Sequence, residues 1–66
     1  MKITFNGQPR EVPDIYTVGQ LIEDAGMLGH RIAVEVNMEI VPRSRYPTAR
    51  INPGDRIEIV EAIGGG

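Results

Sequence analysis

Apolar and polar residues alternate with period two in several stretches of this chain and recur with helical spacing in one. From Lys2 to Phe5, Ile3 and Phe5 fall on one face and Lys2 and Thr4 on the other, the pattern of a half-buried strand. Asn6-Gly7 follows it, and this pair predicts a type I′ hairpin turn, whose two central residues both need φ > 0. The return strand is expected from Gln8 to about Val12. Pro9 has no N–H to give a ladder, so this strand belongs at an edge or begins there, and Pro13 ends it. From Thr17 to Ala25 the period changes. Val18, Leu21, Ile22 and Ala25 stand at i, i+3, i+4 and i+7, one apolar stripe on a helix. Thr17 with Gln20 three residues on reads as a capping box, and Gly26 stands where a left-handed residue closes a helix. Gly19 weakens that helix by up to about 1 kcal/mol relative to Ala, which points to close packing or to a tolerant first turn. Glu23 and Asp24 fall on the solvated side.

Met27 to His30 reads as a loop. Ile32, Val34 and Val36 then share one face of a strand, with Ala33 and Glu35 on the other. Asn37 begins a turn, Ile40-Val41 is a short strand stopped by Pro42, and Arg43-Ser44-Arg45-Tyr46-Pro47 is polar and irregular. Asn52-Pro53-Gly54-Asp55 predicts a type II turn, because Pro presets φ at its second position and Gly supplies φ > 0 at its third. Arg56 to Ile63 forms the last strand, with Ile57 and Ile59 inward and Glu58, Val60 and Ala62 on the opposite face. A hairpin, one helix and further strands predict an α+β domain, a small mixed sheet with the helix packed on one face.

The chain closes on Gly64, Gly65 and Gly66. Three residues without Cβ make a thin segment that reaches roughly 10 Å when extended. Such a tail suits a narrow channel and carries a carboxylate to its far end. With a pKa of about 3.3–3.7 that carboxylate is ionised at neutral pH, so it needs no neighbouring base to act as a nucleophile. Attack on the α-phosphate of ATP would give an acyl-adenylate, from which a sulfur or amine donor would displace AMP. The same three residues also read as a merely frayed terminus. The organisation expected is a domain over residues 1–63 and a flexible diglycine-type tail over 64–66.

Size and composition narrow the function further. A chain of 66 residues is one domain that buries only about 60% of its unfolded surface. Little room remains for a deep catalytic cleft, which argues against a self-contained enzyme. There is no cysteine, hence no disulfide framework and no thiol nucleophile. His30 is the only histidine, so a histidine-built metal site is excluded, and with no partner in view it reads as exposed and uninvolved. Nine acids against seven bases give a net charge of −2 and no electrostatic reason to expect nucleic acid. No apolar run approaches the ~20 residues of a membrane span, and the start reads directly as a strand and not as a signal peptide. The expectation is a cytoplasmic protein with no membrane contact, no metal and no stably bound cofactor.

The order of elements and the glycine end together resemble the ubiquitin-like β-grasp fold, and within it the thiamine-biosynthesis sulfur carrier family (ThiS). The resemblance rests on Asn6-Gly7, Thr17-Val18, Ala33 to Asn37, Ile40 to Ser44, Gly54 to Val60 and Ala62 to Gly66, which span nearly the whole chain. Val41-Pro42-Arg43-Ser44 and the segment from Gly54 onward are its most specific parts. The sequence departs from the family at Met38, where members often carry Gly, and Tyr46-Pro47 makes the neighbouring loop unusual.

The resemblance implies a carrier and co-substrate, not a catalyst. Gly66 would be adenylated by an adenylyltransferase similar to ubiquitin-activating enzymes, which would use the ATP. Sulfur derived from cysteine, through a desulfurase-type donor, would convert it to a thiocarboxylate. Thiazole synthase would then take that sulfur into the thiazole ring of thiamine. Gly64 and Gly65 would give access. Alternation adds a surface for docking: Val60, Ala62 and Ala33 are small apolar residues facing outward, flanked by Arg56 and Glu58. Arg43 and Ser44 read either as docking contacts or as loop structure, whereas Arg45 and Arg50 read as solvated. Three other readings remain: a carrier like the small subunit of molybdopterin synthase, disfavoured because Glu61-Ala62-Ile63 lacks proline, a ubiquitin-like modifier of lysines, and a plain interaction module whose tail is inert.

Overall fold

The computed structural model describes residues 1–62. Strand β1 (Lys2–Phe5) pairs antiparallel with β2 (Gln8–Glu11) through the predicted turn, with Asn6 at φ 49° and Gly7 at φ 82°. Helix α1 (Val18–Asp24) begins at the predicted capping box. The Thr17 hydroxyl accepts from the Gln20 N–H at 3.2 Å, and the Gln20 carboxamide oxygen accepts from the Thr17 N–H at 2.9 Å. Strands β3 (Ile32–Val36), β4 (Glu39–Val41) and β5 (Arg56–Glu61) complete a five-stranded sheet in the order β2-β1-β5-β3-β4. Pro9 therefore lies on an edge strand, as its missing N–H requires. The last strand ends at Glu61, so the described Ala62 lies beyond it where strand was expected, and Ile63 falls outside the described residues, as do Gly64, Gly65 and Gly66.

The last strand in sequence is the middle strand in space. β5 runs parallel to β1, with Thr4 level with Arg56, and antiparallel to β3 over five residue pairs from Ile32–Glu61 to Val36–Ile57. One face of the sheet carries Ile3, Val34, Ile57 and Ile59, all buried, and α1 closes over it with Val18, Leu21 and Ile22. Tyr16, Val12 and Ile51 join that core. Two asparagine side chains hold β5, Asn37 at its start and Asn6 within it. Asn6 takes over the ladder where β1 turns away, accepting from the Ile59 N–H at 2.8 Å and donating to the Ile59 carbonyl at 3.2 Å. Asn37 accepts from the Arg56 N–H at 2.9 Å and donates to Asp55 at 3.0 Å.

Four local features sharpen or correct the sequence reading. Gly19 is set by close packing: its N–H donates to the Tyr46 carbonyl at 2.8 Å, and a Cβ there would stand 3.1 Å from that oxygen. Asp24 is exposed but does more than solvate the helix, since it accepts the hydroxyl hydrogen of Tyr16. Burial of the Tyr16 ring, reinforced by that bond, pushes its phenol up to about 12. Arg43–Arg45 is a 3-10 turn where irregular chain was expected, closed by bonds from Arg45 to Pro42 and from Tyr46 to Arg43. The β3–β4 turn is left-handed at both Asn37 (φ 51°) and Met38 (φ 71°), so a Met occupies a position that suits Gly.

Candidate functional site

The outer face of the sheet is a consequence of strand alternation, and β3 and β5 set its layout. Residues directly opposite in an antiparallel ladder share a face, so Ala33 stands beside Val60 and Glu35 beside Glu58. Both Ala33 and Val60 are exposed, Val60 at 62%. Single exposed apolar residues are ordinary, but these two adjoin a groove of about 440 Å³ that also exposes Leu28, at 62%. The groove runs beside the end of β5, between the loop before β3 and the 3-10 turn. Ala33, Val60 and Ala62 line it together with Ile32 and Leu28, and Arg43, Arg31 and His30 contribute cationic or titratable groups. Ala62 is anchored by its N–H to the Arg31 carbonyl at 2.9 Å.

Four of the residues singled out from sequence therefore meet at one place: Ala33, Arg43, Val60 and Ala62. The others do not join them. Glu58 lies one step along the same face, opposite Glu35. Arg56 is level with Thr4 at the start of β5, some four residues and roughly 13 Å from Val60. Ser44 is exposed within the 3-10 turn and is not among the groove's lining residues. Gly64, Gly65 and Gly66 lie outside the described residues. Among the described residues, no cluster of His, Cys, Asp or Glu is arranged to hold a metal ion. No described helix is long and apolar enough to cross a membrane.

Sequence reasoning missed two features here. His30 was expected to lack a partner, but its Nδ1 lies 2.8 Å from a Glu61 carboxylate oxygen. The two residues are far apart in the chain, and only the register that sets Ile32 opposite Glu61 brings them together. Tyr46 was read as part of an irregular loop, whereas it is half-buried, packs against the core and lines the groove. A second concavity of about 500 Å³ lies among Val36, Ile40, Arg45, Arg50 and Asn52, and none of its lining residues belongs to β5.

Comparison with known proteins bears directly on this site. The profile of the ThiS family matches residues 3–66, a span that includes the groove and the three terminal glycines. The chain is similar to the sulfur carrier protein ThiS of Escherichia coli, 32% identical over 66 residues and over the full length of both proteins. It is also similar to a thiazole synthase of Paramagnetospirillum magneticum, 44% identical over 66 residues, which is all of this chain but 20% of that protein. The chain thus spans about a fifth of the length of the thiazole synthases it matches. The crystal structure of a thiamine biosynthesis protein (ThiS) from Geobacter metallireducens superposes with a TM-score of 0.86 at 28% identity, covering both chains completely.

Proposed function

Since this chain belongs to the ThiS family of sulfur carriers in thiamine biosynthesis, we propose that its Gly66 carboxylate carries the sulfur, as a thiocarboxylate. A carboxylate oxygen attacks the α-phosphate of ATP, pyrophosphate leaves, and an acyl-adenylate forms. The outer sulfur of a persulfide on a cysteine desulfurase-type donor attacks the acyl carbon and AMP leaves; a thiol then cleaves the resulting acyl disulfide, which releases the thiocarboxylate and leaves the thiol and the donor sulfur joined as a disulfide. The thiocarboxylate then gives its sulfur to thiazole synthase. The chain supplies the acyl group and the surface by which partners recognise it, and an adenylyltransferase resembling ubiquitin-activating enzymes supplies the catalysis and binds the ATP.

The observation that carries this reading is the family match running through the closing glycines, on a chain whose central strand leads directly to them. The groove beside Ala62 supports a docking role for Ala33, Arg43, Val60 and Ala62. A partner held there has the tail's origin within its footprint. Arg56 and Glu58 extend the same face toward the start of β5, and Ser44 follows Arg43 in the 3-10 turn. Full-length similarity of this chain to part of proteins named thiazole synthase supports that enzyme as the sulfur acceptor.

The test is intact mass after incubation with ATP, cysteine and an extract able to load a known carrier. Replacement of one oxygen by sulfur, mapped to Gly66, is the expected result. Deletion of Gly66 should leave the fold unchanged and abolish loading. Normal loading of the deleted chain, or lysine-linked conjugates in place of the sulfur product, would overturn the proposal.

A further inference from the structure

The two edges of the sheet are not alike. In an antiparallel ladder, residues alternate between turning N–H and C=O to the partner strand and turning both away from it. In β1, the Thr4 N–H donates to the Asp55 carbonyl, on the side away from β2, so the residue opposite it, Pro9, faces outward. Pro9 has no N–H to offer there, and the β2 edge is blunted at that position. At the other edge the residue that faces outward is Ile40. The Asn37 N–H donates to the Arg56 carbonyl at 2.8 Å, and the Arg31 carbonyl accepts from the Ala62 N–H at 2.9 Å. Between them Ala33 and Glu35 turn to β5, while Val34 and Val36 turn to β4. Val34–Val41 and Val36–Glu39 are therefore the bonded pairs, and Ile40 directs its N–H and C=O to the open side.

A groove of about 500 Å³ lies beside that opening. Directly opposite residues share a face, so Glu39 and Val41 stand on the helix side of the sheet with Val34 and Val36. The Ile40 side chain, 75% exposed, stands on the outer side. The groove opens on the helix side, where Val18 of α1, Val36, Val41 and Ala49 give it apolar walls and Arg45 and Arg50 line it as exposed cations. Among the described residues the ion pairs involve Met1, Glu11, Asp14, His30 and Glu61, so neither guanidinium is paired. Of the two carboxylates in the groove, Asp55 is committed to Asn37 at 3.0 Å and to the Asn52 N–H at 2.8 Å, and Glu39 belongs to β4 itself.

We propose that β4 and this groove dock an extended, acidic peptide segment of a partner protein, which joins the sheet as a further strand antiparallel to β4. Strand addition draws affinity from main-chain bonds and selectivity from alternate side chains. The residue of the segment level with Ile40 exchanges two bonds with it, N–H to C=O in each direction. Its two neighbours then point to the helix side, into the groove. An acid level with Glu39 would be repelled, so that place takes an apolar side chain, next to Val36. The acid stands level with Val41, toward the 3-10 turn that carries Arg45. The segment that fits is acidic, then any residue, then apolar. A guanidinium holds a carboxylate by two parallel N–H···O bonds, which favours Glu or Asp over a neutral acceptor. This site shares no lining residue with the groove at Ala62 and leaves that face open.

The experiment titrates the isotope-labelled full chain with three capped peptides and follows its amide resonances. The first peptide is Ser-Thr-Glu-Thr-Val-Thr-Ser. The second carries Gln in place of Glu. The third is the first with its central Thr N-methylated, which removes one bond to Ile40 and keeps the charge. The first should move the Ile40 and Val41 resonances saturably, with a dissociation constant on the order of 1 mM or below. The second and third should each bind about tenfold more weakly, the loss of one charge-assisted or main-chain bond. The chain carrying Arg45→Gln and Arg50→Gln, whose spectrum away from the groove checks the fold, should bind the first and second peptides alike. Four outcomes would each overturn the proposal: no saturable shift at Ile40, equal binding of the three peptides, shifts centred on Leu28 and Val60 instead, or shifts at Ile40 that follow protein concentration without peptide. The last would make the occupant a second copy of the chain.

Discussion

Replacing Met38 by Gly should stabilise the domain, and the β3–β4 turn allows the size of the gain to be worked out. Met38 sits at φ 71°, where an L-residue is strained by about 1–2 kcal/mol. Glycine removes that strain but gives up about 0.5–1 kcal/mol through its greater freedom in the unfolded chain. Met38 is 77% exposed, so little burial is lost with its side chain. The turn has no easy route to another geometry, because Asn37 is bonded to both Asp55 and the Arg56 N–H. At mid-range the net gain is about 0.75 kcal/mol, which for a domain of this size raises the melting temperature by about 3–6 °C. Urea denaturation measures it as a shift in midpoint at constant slope. Met38→Ala is the control: it keeps the Cβ and hence the strain, and should stay within about 0.5 kcal/mol of the parent. An unchanged or lowered midpoint for Met38→Gly would refute the reasoning. So would an equal gain from Met38→Ala, which would trace the effect to the exposed side chain.

Other substitutions probe the sheet, the core and the groove. Asn6→Ala removes both side-chain bonds to Ile59 and should cost about 2 kcal/mol, read as a lower urea midpoint; a cost below about 0.5 kcal/mol would mean water replaces those bonds freely. The Tyr16 phenol is raised from 10 to about 12, so the neutral ring stabilises the fold fully below pH 10 and that contribution is lost as pH rises through 12. Tyr16→Phe should flatten this alkaline limb in melting curves taken between pH 9 and 12, and an identical loss in both proteins would assign the limb to other groups. If the proposed adenylyltransferase docks on this face, Val60→Asp should weaken its binding about tenfold, or about 1.4 kcal/mol, with the melting temperature little changed. Unaltered affinity would remove Val60 from the docking surface.

Much of this architecture is legible in the chain because its elements are short and strongly patterned. The helix stripe of Val18, Leu21 and Ile22, the Asn6-Gly7 and Pro53-Gly54 turns, and the outward placement of Ala33 and Val60 all follow from spacing and local chemistry. What spacing cannot supply is register. The position of β5 between β1 and β3 decides that Ala33 meets Val60 and that His30 meets Glu61, and no local pattern encodes either pairing. Val12, Tyr16 and Ile51 are buried although each stands in a stretch with no periodic companions to assign it a face. Asn6 was readable as a residue tolerant of positive φ, but its replacement of a backbone partner for Ile59 required knowing which strand passes beside the turn. The groove was invisible for the same reason, since its walls come from the loop at Leu28, the 3-10 turn and the end of β5.

The placement of β5 also determines how the molecule bears force. A partner that grips the terminal glycines pulls Ala62 along the axis of a strand flanked on both sides, by β1 in parallel and by β3 in antiparallel pairing. The inter-strand hydrogen bonds lie across that pull, so they are sheared together and share the load instead of opening one by one. A strand at the sheet's edge, peeled from one end, would yield its bonds in succession. The central position therefore spreads tension along β5 over the bonds to two neighbouring strands at once.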